Sequence, residues 1–164
     1  MQHLRPRAAW LWLCVAAALP LTAHSATKTA TFRVEATIIS DCTIGASGMN
    51  FNNVGTVTAV FNATSTLTIT CTPMTSYTIG LDAGDVTGSV LTDRKMGNGA
   101  ARLSFQLYRD AARTQVWGVT APTDTIGGTG SGAAQTVTVY GQIPVQSTPA
   151  IGAYLNNVTA TITY

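Results

Sequence analysis

The chain has 164 residues, 46% of them hydrophobic and 10% charged, with a formal net charge of +2. Arg5 and Arg7 account for that excess, and beyond residue 25 seven basic side chains face seven acidic ones. So balanced a surface excludes field-driven recognition of nucleic acid or of an anionic membrane, and the roughly 139 residues after position 25 suit one domain with a single core.

Residues 1–25 have the pattern of a signal peptide. Arg5 and Arg7 form a basic start, Ala8 to Leu21 is an apolar stretch too short to span a bilayer, and Ala23-His24-Ser25 supplies small residues where a signal peptidase cuts. Cleavage is expected after Ser25, with Ala23 and Ala26 as the neighbouring choices. Cys14 leaves with this leader, because Leu11-Trp12-Leu13-Cys14 lacks the small residue that precedes a lipidated cysteine. The mature chain is therefore expected in the periplasm or beyond the cell, without insertion in a membrane.

Export leaves Cys42 and Cys71, and an even count in an oxidising compartment is most simply one disulfide. A metal pair would lack further ligands, since the two histidines are His3 and His24.

In chain order, Ala30 to Ile38 alternates apolar and polar residues, with Ala30, Phe32, Val34, Ala36 and Ile38 in one row. Met49 to Val54 is predicted to be a short strand ending near Gly55. Ser65 to Cys71 alternates strictly, placing Leu67, Ile69 and Cys71 on one face, and Pro73 ends it. Tyr77, Ile79 and Leu81 make the next inward row before a turn at Asp82-Ala83-Gly84. Leu103, Phe105 and Leu107 follow within Arg102 to Tyr108, then Val137, Val139 and Gly141 within Gln135 to Ile143, then a strand over Tyr154 to Tyr164. Seven or so short strands at this spacing predict a β-sandwich.

Two stretches have the character of loops. Gly84 to Ala100 carries Asp93-Arg94-Lys95, a charge cluster expected to be a solvated turn. The run Gly127 to Gly132 resembles a phosphate cradle, but such a cradle opens a helix; a strand follows here, so a hairpin is expected. The sequons at Asn62 and Asn157 are expected to be accidents of a Thr-rich chain.

The two ends are complementary. The chain stops on an alternating run, Val158 to Tyr164, whose row Val158, Ala160, Ile162 and Tyr164 faces a core with no later strand to lie beside it. The Ala30–Ile38 run sits at the other end as a spare strand. A chain so built can pass its spare strand to a neighbour, as a polymerising fibre subunit does. Catalysis finds little support: past the leader there is one glutamate, no histidine and no spare cysteine to serve a nucleophile, and Asp82 and Asp85 sit in a turn where Asp is favoured for backbone reasons. No cofactor is expected.

The segments Asp110-Ala111-Ala112-Arg113-Thr114-Gln115-Val116-Trp117-Gly118, Ala134 to Pro144, and Gly152-Ala153-Tyr154 leading into Val158–Tyr164 resemble the spore coat protein U domain, as does Cys42-Thr43-Ile44 ahead of Met49-Asn50-Phe51. In Gram-negative bacteria that domain is similar to the subunits of archaic chaperone-usher pili, thin fibres for attachment and biofilm formation. The resemblance implies an all-β, incomplete immunoglobulin-like sandwich that lacks its final strand and is completed by donor-strand exchange. Its partners would be a periplasmic chaperone, an outer-membrane usher and neighbouring pilin subunits. It divides the chain into a leader, 1–25, a donor strand, 26–38, and a sandwich domain, 39–164. The length leaves no room for a receptor-binding domain, which favours a shaft or adaptor position. Three alternatives stay open: residues 26–38 as the domain's own first strand, a secreted coat-type structural protein outside any pilus, and a monomeric glycan-binding module using Trp117 and Tyr140.

Overall fold

The computed structural model describes residues 24–164, so the expected leader falls almost wholly outside the described residues. The chain divides into a unit ending at Ala36 and a second, Thr37–Tyr164. In the first, the described residues carry no strand or helix. Phe32 and Val34 are 86% and 82% exposed, and Arg33 Nη2 meets Glu35 Oε1 at 2.8 Å.

The second unit holds eight strands: β1 (Cys42–Ala46), β2 (Phe61–Cys71), β3 (Ser76–Leu81), β4 (Arg94–Asn98), β5 (Ala101–Tyr108), β6 (Ile126–Thr129), β7 (Gln135–Ile143) and β8 (Ala160–Thr163). They form a five-stranded sheet in the order β1-β2-β7-β5-β4 and a three-stranded sheet in the order β6-β3-β8, antiparallel throughout. The alternation that predicts the strands also sets their faces. Leu67 and Ile69 of β2, Ile79 and Leu81 of β3, Phe105 and Leu107 of β5 and Val139 of β7 all enter one buried core. Each fully buried side chain of this size stabilises the fold by about 1.5–3 kcal/mol. Cys42 and Cys71 lie directly opposite in the β1–β2 ladder and are joined, as expected.

Four expectations are corrected. Met49–Val54 belongs to no ladder; Met49, Phe51 and Val54 pack against the core from an irregular connection between β1 and β2. The inner face of β7 has glycine at 141, and Met49 and Phe51 fill the space above it, as a β-carbon there would fall 2.1 Å from Met49 Sδ and 3.0 Å from Phe51 Cζ. The segment is thus apolar because it covers a sheet, not because it joins one.

Arg94 is no solvated turn residue. It opens β4 and is 0% exposed. Its Nη2 donates to Leu81 O at 2.9 Å and Trp117 O at 2.6 Å, its Nε to Asp82 O at 2.8 Å, and its Nη1 to Gln106 Oε1. One side chain so ties the edge strand of the larger sheet to the end of β3 in the smaller. Burial lowers its pKa to about 10, while the charges of Asp82 and Asp124 act to raise it; it stays charged near neutral pH.

The glycine run makes no hairpin either, since β6 pairs with β3 in one sheet and β7 with β2 and β5 in the other. Gly128 lies under the Tyr77 ring, and a β-carbon at Gly130 would fall 2.4 Å from Thr72 O, so these positions let the chain pass close to β3 and to the end of β2 as it changes sheets. Finally, only Ala160–Thr163 of the expected last strand is in a ladder; upstream, Leu155 makes an isolated bridge with Gly97.

Candidate functional site

β1 and β8 are each the terminal strand of a sheet, and β1 pairs only with β2 and β8 only with β3. Between the sheets opens a cleft of about 340 Å³. Its floor is the buried row of Leu67, Leu81, Phe105, Leu107 and Val139, contributed by β2, β3, β5 and β7. Ala46, Ser47 and Gly48 line one side, Asn156, Asn157, Val158 and Ala160 the other, and Met49, Phe51 and Met96 complete the lining.

The Asn156–Thr159 side carries no ladder, so side chains hold it instead. Asp82 Oδ1 accepts from the backbone N–H of Gly84 and of Thr159, both at 2.8 Å. Asp85 accepts from Asn157 N at 3.0 Å and Asn157 Nδ2 at 2.7 Å, and Asn156 Nδ2 donates to Lys95 O at 2.7 Å. The backbone N–H of Asn157, then its side-chain amide, hold the Asp85 carboxyl below its ordinary value of 3.8. Gly84 has φ 83°, and a β-carbon there would collide with the Asn156 amide, so glycine is required at this turn. Both carboxylates serve as acceptors for backbone, the role expected for Asp in that turn, and among the described residues no three His, Cys, Asp or Glu side chains cluster as metal ligands.

Of the expected C-terminal row, Val158 and Ala160 line the cleft, Ile162 packs on the core, and Tyr164, outside the cleft lining, donates its hydroxyl to Asp41 Oδ1. Ala30, Phe32, Val34, Ala36 and Ile38 are all exposed and belong to no ladder. Trp117 is 0% exposed and its Nε1 donates to Ile79 O at 2.9 Å, so it is a core residue and offers no face to a sugar. Sequence reasoning passed over Met49, Phe51 and Met96 as cleft residues; the hydrophobicity of the first two was visible, but their position over β7 was not.

Fold and cleft together define an incomplete immunoglobulin-like sandwich, all-β, with an apolar groove that opens beside the ends of the two edge strands β1 and β8. The chain belongs to the Spore Coat Protein U domain family, whose model matches residues 28–161. It is 34% identical over 158 residues to "Protein U" of Myxococcus xanthus, covering 87% of this chain and 88% of that protein. Its fold is similar, at a TM-score of 0.59 and 19% identity, to a chain in the crystal structure of the CsuC–CsuE chaperone–tip adhesion subunit pre-assembly complex from archaic chaperone-usher Csu pili of Acinetobacter baumannii. That match covers 78% of this chain, and this chain spans 41% of the solved one.

Proposed function

We propose that this protein is an exported structural subunit of a chaperone-usher surface fibre that polymerises by donor-strand complementation. The observation that carries the reading is the apolar cleft flanked by the terminal strands β1 and β8. A strand laid there would pair its backbone with an exposed edge and point alternate side chains onto the Leu67, Phe105 and Val139 floor. It would also cover an edge that invites aggregation. The row Ala30, Phe32, Val34, Ala36 and Ile38 has the required alternation, and its large members are exposed. On this reading a periplasmic chaperone occupies the groove first, and at an outer-membrane usher the N-terminal row of the next subunit replaces it. The resulting fibre would serve adhesion and biofilm formation, with no catalytic step.

Size analysis of the protein from the periplasm, with and without its cognate chaperone, tests this. A discrete chaperone complex, giving way to a ladder of larger species when the chaperone is withheld, is expected. A sharply monomeric protein that takes no chaperone would overturn it.

A further inference from the structure

Two of the chain's four methionines, Met49 and Met96, line the same cleft. They come from opposite extremes of the five-stranded sheet: Met49 from the connection that leaves β1, Met96 from β4. The floor residues Leu67, Leu81, Phe105, Leu107 and Val139 are buried and lie within ladders, and the Asn156–Asn157 side is tied to Asp85 and Lys95. The two methionines are only half-buried, and Met49 lies on a segment outside any ladder. Its thioether lies against Gly141, which offers no side chain to interlock with it. An unbranched side chain with three rotatable bonds and a polarizable sulfur re-packs at little cost against differently shaped neighbours.

We infer that Met49 and Met96 are the adaptable contacts of this groove, the side chains that let one cleft accept apolar strands of different sequence, foremost residues 30–38 of a second copy. The inference rests on the proposed docking of a strand in the cleft. It answers a demand which that docking creates. The row to be received mixes a ring at Phe32, β-branched groups at Val34 and Ile38 and small ones at Ala30 and Ala36, and a chaperone strand would present another mixture. A cleft with uniformly fixed walls would match one mixture and reject others; flexible methionine surfaces are how promiscuous grooves avoid this.

The test uses the full chain at submicromolar concentration, titrated with a synthetic peptide of residues 27–38 and with a panel in which Phe32, Val34 and Ile38 are changed in turn to Leu and to Met. The unaltered protein should bind the whole panel within about five-fold in Kd. The Met49→Leu, Met96→Leu double variant conserves volume but stiffens the lining, and should keep the native peptide within about three-fold while spreading the panel by about ten-fold or more. Equal spreads in the two proteins overturn the role of the methionines and leave strand docking standing. Failure of the unaltered protein to bind any peptide overturns both. Should the double variant not fold, Met96→Leu alone, which leaves the Gly141 seat untouched, is judged by the same comparison of spreads.

Discussion

Tyr164 donates its phenol hydrogen to Asp41 Oδ1 at 3.2 Å, tying the residue after β8 to the residue before β1. The two edge strands are thereby held together at one end, while the cleft lies at the other, beside Ala46 and Ala160. A strand long enough to run past both β1 and β8 would meet this contact. Tyr164→Phe removes the donor from an exposed bond worth about 0.5–1.5 kcal/mol, so the melting temperature should change little. Binding of the 27–38 peptide should become tighter by up to about ten-fold if the bond opposes entry. Unchanged or weaker binding in isothermal titration would show that the Tyr164 bond does not guard the groove.

The Cys42–Cys71 bond closes a loop 29 residues long, for which the chain-entropy account gives about 3–4 kcal/mol. Cys71→Ser should lose about that much in urea unfolding, and less of the variant should reach the cell surface. Mass spectrometry of the secreted protein should find no free thiol; two would contradict the pairing.

Arg94 satisfies acceptors on both sheets at once, so removing it takes a buried donor from Leu81 O and Trp117 O and leaves Gln106 Oε1 with the Leu107 N–H in place of two donors. Arg94→Met should cost about 3–5 kcal/mol of unfolding free energy. Arg94→Lys should recover only part of it, because an ammonium lacks the planar fork that reaches several carbonyls from one position. A loss below about 1 kcal/mol for Arg94→Met would mean the network adds no net stability.

Asp85 is held below its ordinary 3.8 by the Asn157 backbone N–H and then the Asn157 side chain. A carboxyl whose folded value is depressed adds stability that is complete above the unfolded value and disappears as pH falls through the folded one. Thermal melts between about pH 5 and pH 2 should therefore fall more steeply for the natural protein than for Asp85→Asn. Asp82→Asn and Asp85→Asn should also leave any biological role intact apart from the 82–85 turn. Loss of attachment in a variant that folds and assembles normally would argue for a role beyond structure.

Deleting residues 26–38 should abolish fibres while leaving chaperone-bound subunit in the periplasm, because the groove is built from Ala46 onward. Phe32→Asp should act alike, since an unpaired charge in an apolar cleft costs several kcal/mol or keeps the strand out. Adding the 27–38 peptide should raise the melting temperature of the truncated subunit. A truncated protein that fails to fold even with chaperone present would show that the segment is the domain's own first strand.

Strand faces were legible from sequence wherever alternation was strict. Ser65–Cys71, Tyr77–Leu81, Arg102–Tyr108 and Gln135–Ile143 each turn the predicted row toward the core, with Val137 only half-buried, because a period of two leaves a half-buried strand one register that hides its apolar side. The disulfide was legible as well, from export and an even count. Arg94 was not: its acceptors at Trp117, Leu81 and Gln106 lie 23, 13 and 12 residues away, so nothing near it in sequence distinguishes a buried cation from a solvated one. Nor was the path of the Met49–Val54 segment or of the glycine run, for a local pattern reports which side chains seek a core without saying which sheet a segment covers or crosses. Gly141 beneath Met49, and Gly128 beneath Tyr77, became intelligible only once β7 and β3 stood beside the segments that need that space. The groove is of the same kind: its floor was written in four alternating rows, but its existence depends on β1 and β8 ending two different sheets, which only the tertiary pairing decides.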